Sequence, residues 1–312
     1  MFHFCTIASP SYLPFAAVLL SSLKKQQQQV SLHVLVTDDV DSSKMQPGME
    51  LYPLSTLSND PSVQIIIKKY GTENDKLRWA LKPFFLKALL QKTDTVIYLD
   101  NDIYFFNDFS FLFTDLNQHS ISLTPHWCSF DPFQYPENFK MSFQLGIFNA
   151  GFIGASLKGK AFLNWWASAC SFAMERNMED GFFVDQRYLD MSMIVDENVS
   201  IVRHKGCNVA SWNMHQNKRI KKEKEILING HFPIVFIHFN NATIEHIENG
   251  NDNLLSPYYE TFKNEFTALG YDLSAIKTQI RDTPKNVIVK AKRKMKVRTR
   301  LKQLIYSVYQ KL

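Results

Sequence analysis

The sequence predicts an α/β fold built on a mixed, mostly parallel sheet covered by helices on both faces. Apolar, β-branched runs of strand length alternate with helix-length stretches through the first hundred or so residues. One such run, residues 96–99, is followed at once by two carboxylates, Asp100 and Asp102. The 312 residues are 45% hydrophobic, ample for one large domain or two small ones.

Taken in order, FHFCTIA at residues 2–8 reads as the first strand. A Ser-Pro-Ser-Tyr turn follows, then a helix over 15–25 that the glutamines at 26–29 end in solvent. SLHVLVTDD, starting at residue 31, is a second strand closing on Asp38 and Asp39. Strand, helix and strand in this order make a βαβ unit with a right-handed crossover. A loop with Pro47, Gly48 and Pro53 leads to VQIIIKK at 63–69, read as a third strand. Residues 75–91 read as a helix that Pro83 interrupts or starts.

The chain is organised around TDTVIYLDNDIYFFND, residues 93–108. Two carboxylates set between two apolar runs are costly unless neutralised. Hard oxygen ligands at a strand end suit Mg²⁺ or Mn²⁺, and substrate phosphate oxygens usually complete such sites. Ligands of open α/β sheets bind beyond the C-terminal strand ends. Taken alone, Asp-x-Asp is more often an acidic turn leaving a strand.

Past Asp108 the pattern changes. Residues 120–147, with Pro125, His126, Trp127, Pro132, Tyr135 and Pro136, read as a long aromatic loop, of a kind usually functional or mobile. FNAGFIGAS at 148–156 is a strand whose Gly151 and Gly154 mark a close approach by a ligand or another backbone. The following helix carries Trp165, Trp166 and Phe172 at helical spacing, which reads as core. Residues 181–193 start another helix and contain Asp185 and Gln186. A short strand at 199–203 precedes NVASWNM at 208–214, and a last strand, PIVFIHFNN, ends on His238.

Five of these pieces, in this order, resemble a known group: Asp100-Asn101-Asp102 after VIYL, FNAG at 148–151, Asp185-Gln186, NVASWNM, and His238 after an apolar strand. They look like the Rossmann-like GT-A glycosyltransferases, above all retaining glycosyltransferase family 8. That family includes bacterial lipopolysaccharide galactosyl- and glucosyltransferases and glycogenin. The likeness covers about residues 1–245. It implies a metal-dependent enzyme that moves a hexose from a nucleotide-sugar, UDP-sugar above all, to a glycan such as lipopolysaccharide, with retention. It also implies that Asp100, Asp102 and His238 hold Mn²⁺ or Mg²⁺, with Asn101 on the donor side. Asn149 and Gly151 would contact sugar, Asp185 would bind donor hydroxyls, and Gln186 would stand near the reacting carbon. Ile7, Ala8 and Tyr12 would hold base and ribose, and Arg78 or Lys82 would reach the diphosphate or the donor sugar. For Arg78 and Lys82 the rival reading is a solvated helix face. His126 and Trp127 are candidates to stack on an acceptor sugar. The chain departs from the family where Ser9-Pro10-Ser11 replaces acidic residues, and where HFNNAT replaces a Gly, Lys and Pro continuation; Lys218 or Arg219 could supply the missing cation. Two other functions fit the same carboxylates: a nucleotidyltransferase or phosphodiesterase, and a non-catalytic nucleotide-sugar-binding module.

Charge adds a partner. Residues 283–312 hold ten Lys or Arg and no acid, leaving 25 basic against 30 acidic residues elsewhere. Apolar residues at helical spacing in this segment suit an anionic membrane surface, and the acidic body argues against nucleic acid. The expected division is a catalytic domain over 1–255 and a helical, basic tail over 256–312. Four scattered cysteines propose no disulfide framework, and the N-terminus lacks the basic flank of a signal peptide. The expected location is cytoplasmic, peripheral on the inner face of the membrane, with a lipid-linked glycan as acceptor.

Overall fold

The computed structural model describes residues 1–38, 46–71 and 73–282. The chain begins with β1 (Phe2–Ala8), α1 (Leu13–Gln26), β2 (Val30–Val36) and β3 (Met49–Pro53). Three helices follow: α2 (Pro61–Tyr70), α3 (Asn74–Ala80) and α4 (Lys82–Leu89). Next come β4 (Thr95–Leu99), β5 (Ile103–Phe105), α5 (Ser110–Leu116), β6 (Ile121–Pro125), α6 (Pro136–Gln144), β7 (Phe148–Ser156) and α7 (Lys160–Phe172). Short pieces then lead on: β8 (Arg176–Asn177), β9 (Phe182–Phe183), α8 (Ser192–Val195) and β10 (Val199–Ile201). The last elements are β11 (Arg219–Lys222), β12 (Glu225–Ile228), β13 (Phe232–Pro233), β14 (Phe236–His238), α9 (Asn241–Glu248), α10 (Ser256–Ala268) and α11 (Leu273–Asp282).

The central sheet has the order β10-β6-β7-β4-β1-β2-β3. Strand β7 runs antiparallel to β4 and β6, and every other pairing in this sheet is parallel. The expected mixed, mostly parallel α/β class is the one observed. Both faces of β1 are buried: Cys5 and Ile7 pack under α2, α3, α4 and α7, while Phe4 and Ala8 pack against α1 and α5. A third apolar cluster joins Phe15 and Val18 of α1 to α9 and α10.

Three expectations of secondary structure are corrected. Residues 63–69 form a helix, because Asp60 caps the N-terminus by accepting from Ser62 N–H at 2.9 Å and Pro61 sits at the first turn. Val63, Ile66 and Tyr70 then share its buried side, and the third parallel strand is Met49–Pro53 instead. The supposed loop at 120–147 contains β6 and α6. In place of one helix at 181–193 there are β9, a 3₁₀ segment at Arg187–Met191 and the single turn α8. Trp166 is fully buried, as expected of core, but Phe172 is 72% exposed.

The compact unit runs from Met1 to Ile280, and the expected division at 255 lies inside it. Helix α10 buries Tyr259, Phe262 and Phe266, and its Glu265 pairs with Lys25 of α1. The basic segment 283–312 and Asp39 lie outside the described residues. Among the described residues no helix is long and apolar enough to cross a membrane.

Candidate active site

The site forms at the edge of the sheet where β1, β2 and β4 end and antiparallel β7 begins. Strand β4 delivers Asp100, whose N–H donates to Gly151 O at 2.8 Å. The Asp100-Asn101-Asp102 turn leads into β5, and β5 pairs antiparallel with β14, setting His238 opposite Ile103. Phe239 N–H donates to Asp102 O at 2.8 Å and closes this corner. His238 Nε2 therefore lies 3.0 Å from Asp102 Oδ1 and 3.9 Å from Asp100 Oδ2.

These residues fit a divalent cation. One ligand atom from each of Asp100, Asp102 and His238 lies within 4.8 Å of the others. Asp102 Oδ1 is buried, and among the described residues its pairing with His238 Nε2 is the one polar contact that holds it. Burial works against the charge on Asp102, yet His238 outweighs it and holds the carboxyl below its ordinary value. Burial likewise opposes protonation of His238, but Asp102 and Asp100 raise its pKa. Two carboxylates and an imidazole suit Mn²⁺, and the oxygens suit Mg²⁺.

Beside this corner lies a buried lysine. Helix α4 projects Lys82 inward, its side chain 2% exposed, so the solvated-face reading does not hold for it. Lys82 Nζ lies 3.0 Å from Asp185 Oδ2, 3.4 Å from Asp100 Oδ1, and donates to Ala150 O at 3.0 Å. It also stands over the Tyr98 ring at 4.9 Å, and Tyr98 O–H donates to Asp100 at 2.9 Å. Burial alone would depress the lysine, but Asp100 and Asp185 keep its pKa above the ordinary value. Burial pushes the Asp185 carboxyl up, against the pull of Lys82. Helix α7 fixes this residue through Trp166 Nε1–H, which donates to Asp185 O at 3.0 Å.

A web of amides completes the floor. Gln186 Oε1 accepts from Ala150 N–H at 3.1 Å and from Asn149 Nδ2 at 3.3 Å, while its Nε2 donates to Leu145 O at 3.1 Å. Asn149 Oδ1 accepts from Gly151 N–H at 3.0 Å and from Asn208 Nδ2 at 3.1 Å. A Cβ on Gly151 would come within 2.5 Å of His238 Cε1, which explains the glycine in this strand.

The remaining expected residues divide. Ile7 and Ala8 are buried, their side chains in the two sheet cores. Tyr12 is half-buried beneath Arg78, whose guanidinium stands 4.5 Å over its ring and pairs with Asp75. Asn101 is half-exposed at the tip of the acidic turn. Arg219 is not available as a phosphate ligand: it is buried, 2.9 Å from Asp252, and donates to Ala210 O at 2.6 Å. Lys218 is exposed. His126 is buried rather than displayed for stacking, with Nδ1 at 2.8 Å from Gly146 O and Nε2 at 3.3 Å from Asn149 Nδ2. Burial drops its pKa to about 4. Tyr98 and Thr124 also belong to this constellation and were not anticipated; each sits in a strand where alternation alone reads as core.

No family model matches the sequence. Two relatives, both described as uncharacterized proteins of Bacillus subtilis (strain 168), align over most of its length. YfnF is 26% identical over 271 residues, 84% of this chain and 87% of the relative. YfnD is 27% identical over 251 residues, 78% of each. Among solved structures, the galactosyltransferase LgtC in complex with donor and acceptor sugar analogs superposes with a TM-score of 0.52 at 16% identity, covering 86% of this chain and 96% of that one. Mouse xyloside xylosyltransferase 1 in its apo form superposes at 0.51 with 13% identity, covering 78% of this chain and 98% of that one. The fold is that of the GT-A glycosyltransferases. Within the GT-A fold, Asp100 and Asp102 occupy the end of β4 as an Asp-x-Asp pair, joined by His238 from the far end of the domain.

Proposed function

We propose that the protein is a metal-dependent glycosyltransferase that moves a hexose from a nucleotide-sugar, UDP-sugar first among candidates, to a glycan. One observation carries the reading: Asp100 belongs both to the cation corner with Asp102 and His238 and to the buried Lys82–Asp185 cluster. A place for a diphosphate and a place for sugar hydroxyls thus share one carboxylate. Breaking the sugar–phosphate bond builds negative charge on the departing diphosphate and positive charge at the anomeric carbon. A divalent cation held by Asp100, Asp102 and His238 supplies Lewis-acid stabilisation and orientation of that diphosphate.

The protein's own groups do the rest. Lys82 is committed to Asp185, Asp100 and a carbonyl, so it aims two carboxylates rather than acting as a free phosphate ligand. Asp185 accepts from donor-sugar hydroxyls and fixes the ring. Gln186 presents a neutral amide gripped from both ends, and its oxygen side is compatible with a cationic anomeric centre. Retention is the outcome that likeness to family 8 supports. The basic segment 283–312 supports a peripheral site on an anionic membrane, where the acceptor is a lipid-linked glycan such as a lipopolysaccharide precursor.

The test is calorimetry with UDP, with and without Mn²⁺, on the wild type and Asp102→Ala, followed by a screen of UDP-sugars for release of UDP. Mn²⁺-dependent UDP binding lost in Asp102→Ala is expected. Binding that ignores the metal and is equal in both proteins refutes the reading.

A further inference from the structure

We propose that Asn208 is a positioning residue that fixes the tautomer of His238, through a hydrogen-bond chain whose direction two main-chain amides impose. The inference rests on the cation reading above. Side-chain amides and imidazoles can each point two ways, but a main-chain N–H only donates. Gly151 N–H donates to Asn149 at 3.0 Å, so that atom is Oδ1. Ala150 N–H donates to Gln186 at 3.1 Å, so that atom is Oε1. With Asn149 fixed, its Oδ1 takes a second hydrogen from Asn208 Nδ2 at 3.1 Å. The other hydrogen of Asn208 Nδ2 goes to Thr124 Oγ1 at 3.0 Å. Only Asn208 Oδ1 remains, and it faces His238 Nδ1 at 3.3 Å. An amide oxygen cannot donate, so Nδ1 carries the hydrogen. In neutral His238 the Nε2 lone pair is then free, and it points at Asp102 and Asp100. That is the tautomer a cation ligand needs.

The same polarity reaches His126. Asn149 Nδ2 donates to His126 Nε2, which makes Nδ1–H the donor to Gly146 O at 2.8 Å. The chain closes without a conflict, from two main-chain amides to two histidines.

The backbone around Asn208 is built to hold this amide. Asn208 is fully buried with φ of +59°, a left-handed conformation that asparagine, aspartate and glycine accept most readily. Val209 forms an isolated bridge to Ile237 of β14, and His238 N–H donates to Val209 O at 3.0 Å, so amide and imidazole ride on paired backbone. Asn213 Nδ2 donates to Asn208 O at 2.8 Å and locks the strained residue from behind.

The experiment is ¹⁵N NMR of the histidine rings in the metal-free full chain at about pH 9, paired with Mn²⁺ titration by calorimetry. The wild type is expected to show a hydrogen on Nδ1 of both His238 and His126, with Nε2–H of His238 also held by Asp102 while no ion is bound. Asn208→Gly keeps the left-handed backbone and deletes the amide. It should free His238 Nδ1 of its hydrogen, leave His126 unchanged, and weaken Mn²⁺ binding by ~10–100-fold. A wild-type His238 whose Nδ1 carries no hydrogen overturns the proposal, and this measurement needs no variant. Unchanged tautomer and Mn²⁺ affinity in folded Asn208→Gly overturn it too. Asp102→Asn separates the two levels. If it loses Mn²⁺ while Asn208→Gly does not, the inference alone has failed. If it binds Mn²⁺ like the wild type, the cation reading has failed and this inference with it.

Discussion

Gly151→Ala is expected to damage cation binding by steric displacement alone. The added Cβ would lie 2.5 Å from His238 Cε1, 2.9 Å from His238 Nδ1 and 2.8 Å from Asn149 Oδ1. Non-bonded heavy atoms settle at about 3.5–4.0 Å, so the ring must retreat by about 1 Å. It has little room: His238 is buried, its ring stands edge-on to Trp212 at 5.3 Å, and its main chain is paired with Ile103. Overpacking of this kind costs about 1–3 kcal/mol, and a misplaced ligand weakens metal binding by ~10–100-fold. The control is Gly154→Ala in the same strand, whose Cβ would meet only side-chain atoms, Ser122 Cβ at 3.1 Å and Leu116 Cδ2 at 3.2 Å. Urea denaturation should register some loss in both variants, and Mn²⁺ calorimetry a loss only in Gly151→Ala. Equal Mn²⁺ affinity in Gly151→Ala and wild type, or an equal loss in Gly154→Ala, would refute this reasoning.

Other outcomes follow from the same geometry. Lys82→Met strands the buried carboxylate of Asp185, and breaking such a pair costs about 3–5 kcal/mol in urea denaturation; adding Asp185→Leu should recover a large part of it. Trp166→Phe removes the donor to Asp185 O and should cost about 1–3 kcal/mol while weakening donor binding, read by melting temperature and by UDP-sugar calorimetry. His126 titrates at about 4 when folded, against about 6.5 when unfolded. Between those values the unfolded chain binds a proton that the native state refuses, so stability falls as pH drops from about 6.5 to 4, by about 3 kcal/mol in total. His126→Gln should flatten that part of the stability-versus-pH curve; an unaltered slope would count against burial as the cause.

How much of this could be read from sequence depends on how local the cause is. The strand ending in Asp100 was legible because charge follows directly on a β-branched run, and His238 because it closes another such run. Lys82 was ambiguous: its helix is short, and only the fold shows that it turns toward Asp100 and Asp185. Residues 63–69 misled because three consecutive isoleucines favour a strand locally, while Asp60 and Pro61 just upstream start a helix. Strand β6 was hidden by Ser122 and Thr124, polar residues whose burial makes sense only beside β7 and Asn208. The directed amide chain could not be seen at all, since its members come from β6, β7, the segment before Arg187, the stretch between β10 and β11, and β14.

The pairing of β14 onto β5 also sets a timetable for biosynthesis. The acidic pair leaves the ribosome long before its imidazole partner, and at about 5–20 residues per second the delay is on the order of ten seconds. During that interval the nascent chain has two carboxylates and no third donor, too poor a cradle to grip an ion or a nucleotide firmly. The corner of Asp100, Asp102 and His238 therefore assembles late, once translation has passed His238 and its ladder has zipped onto Ile103.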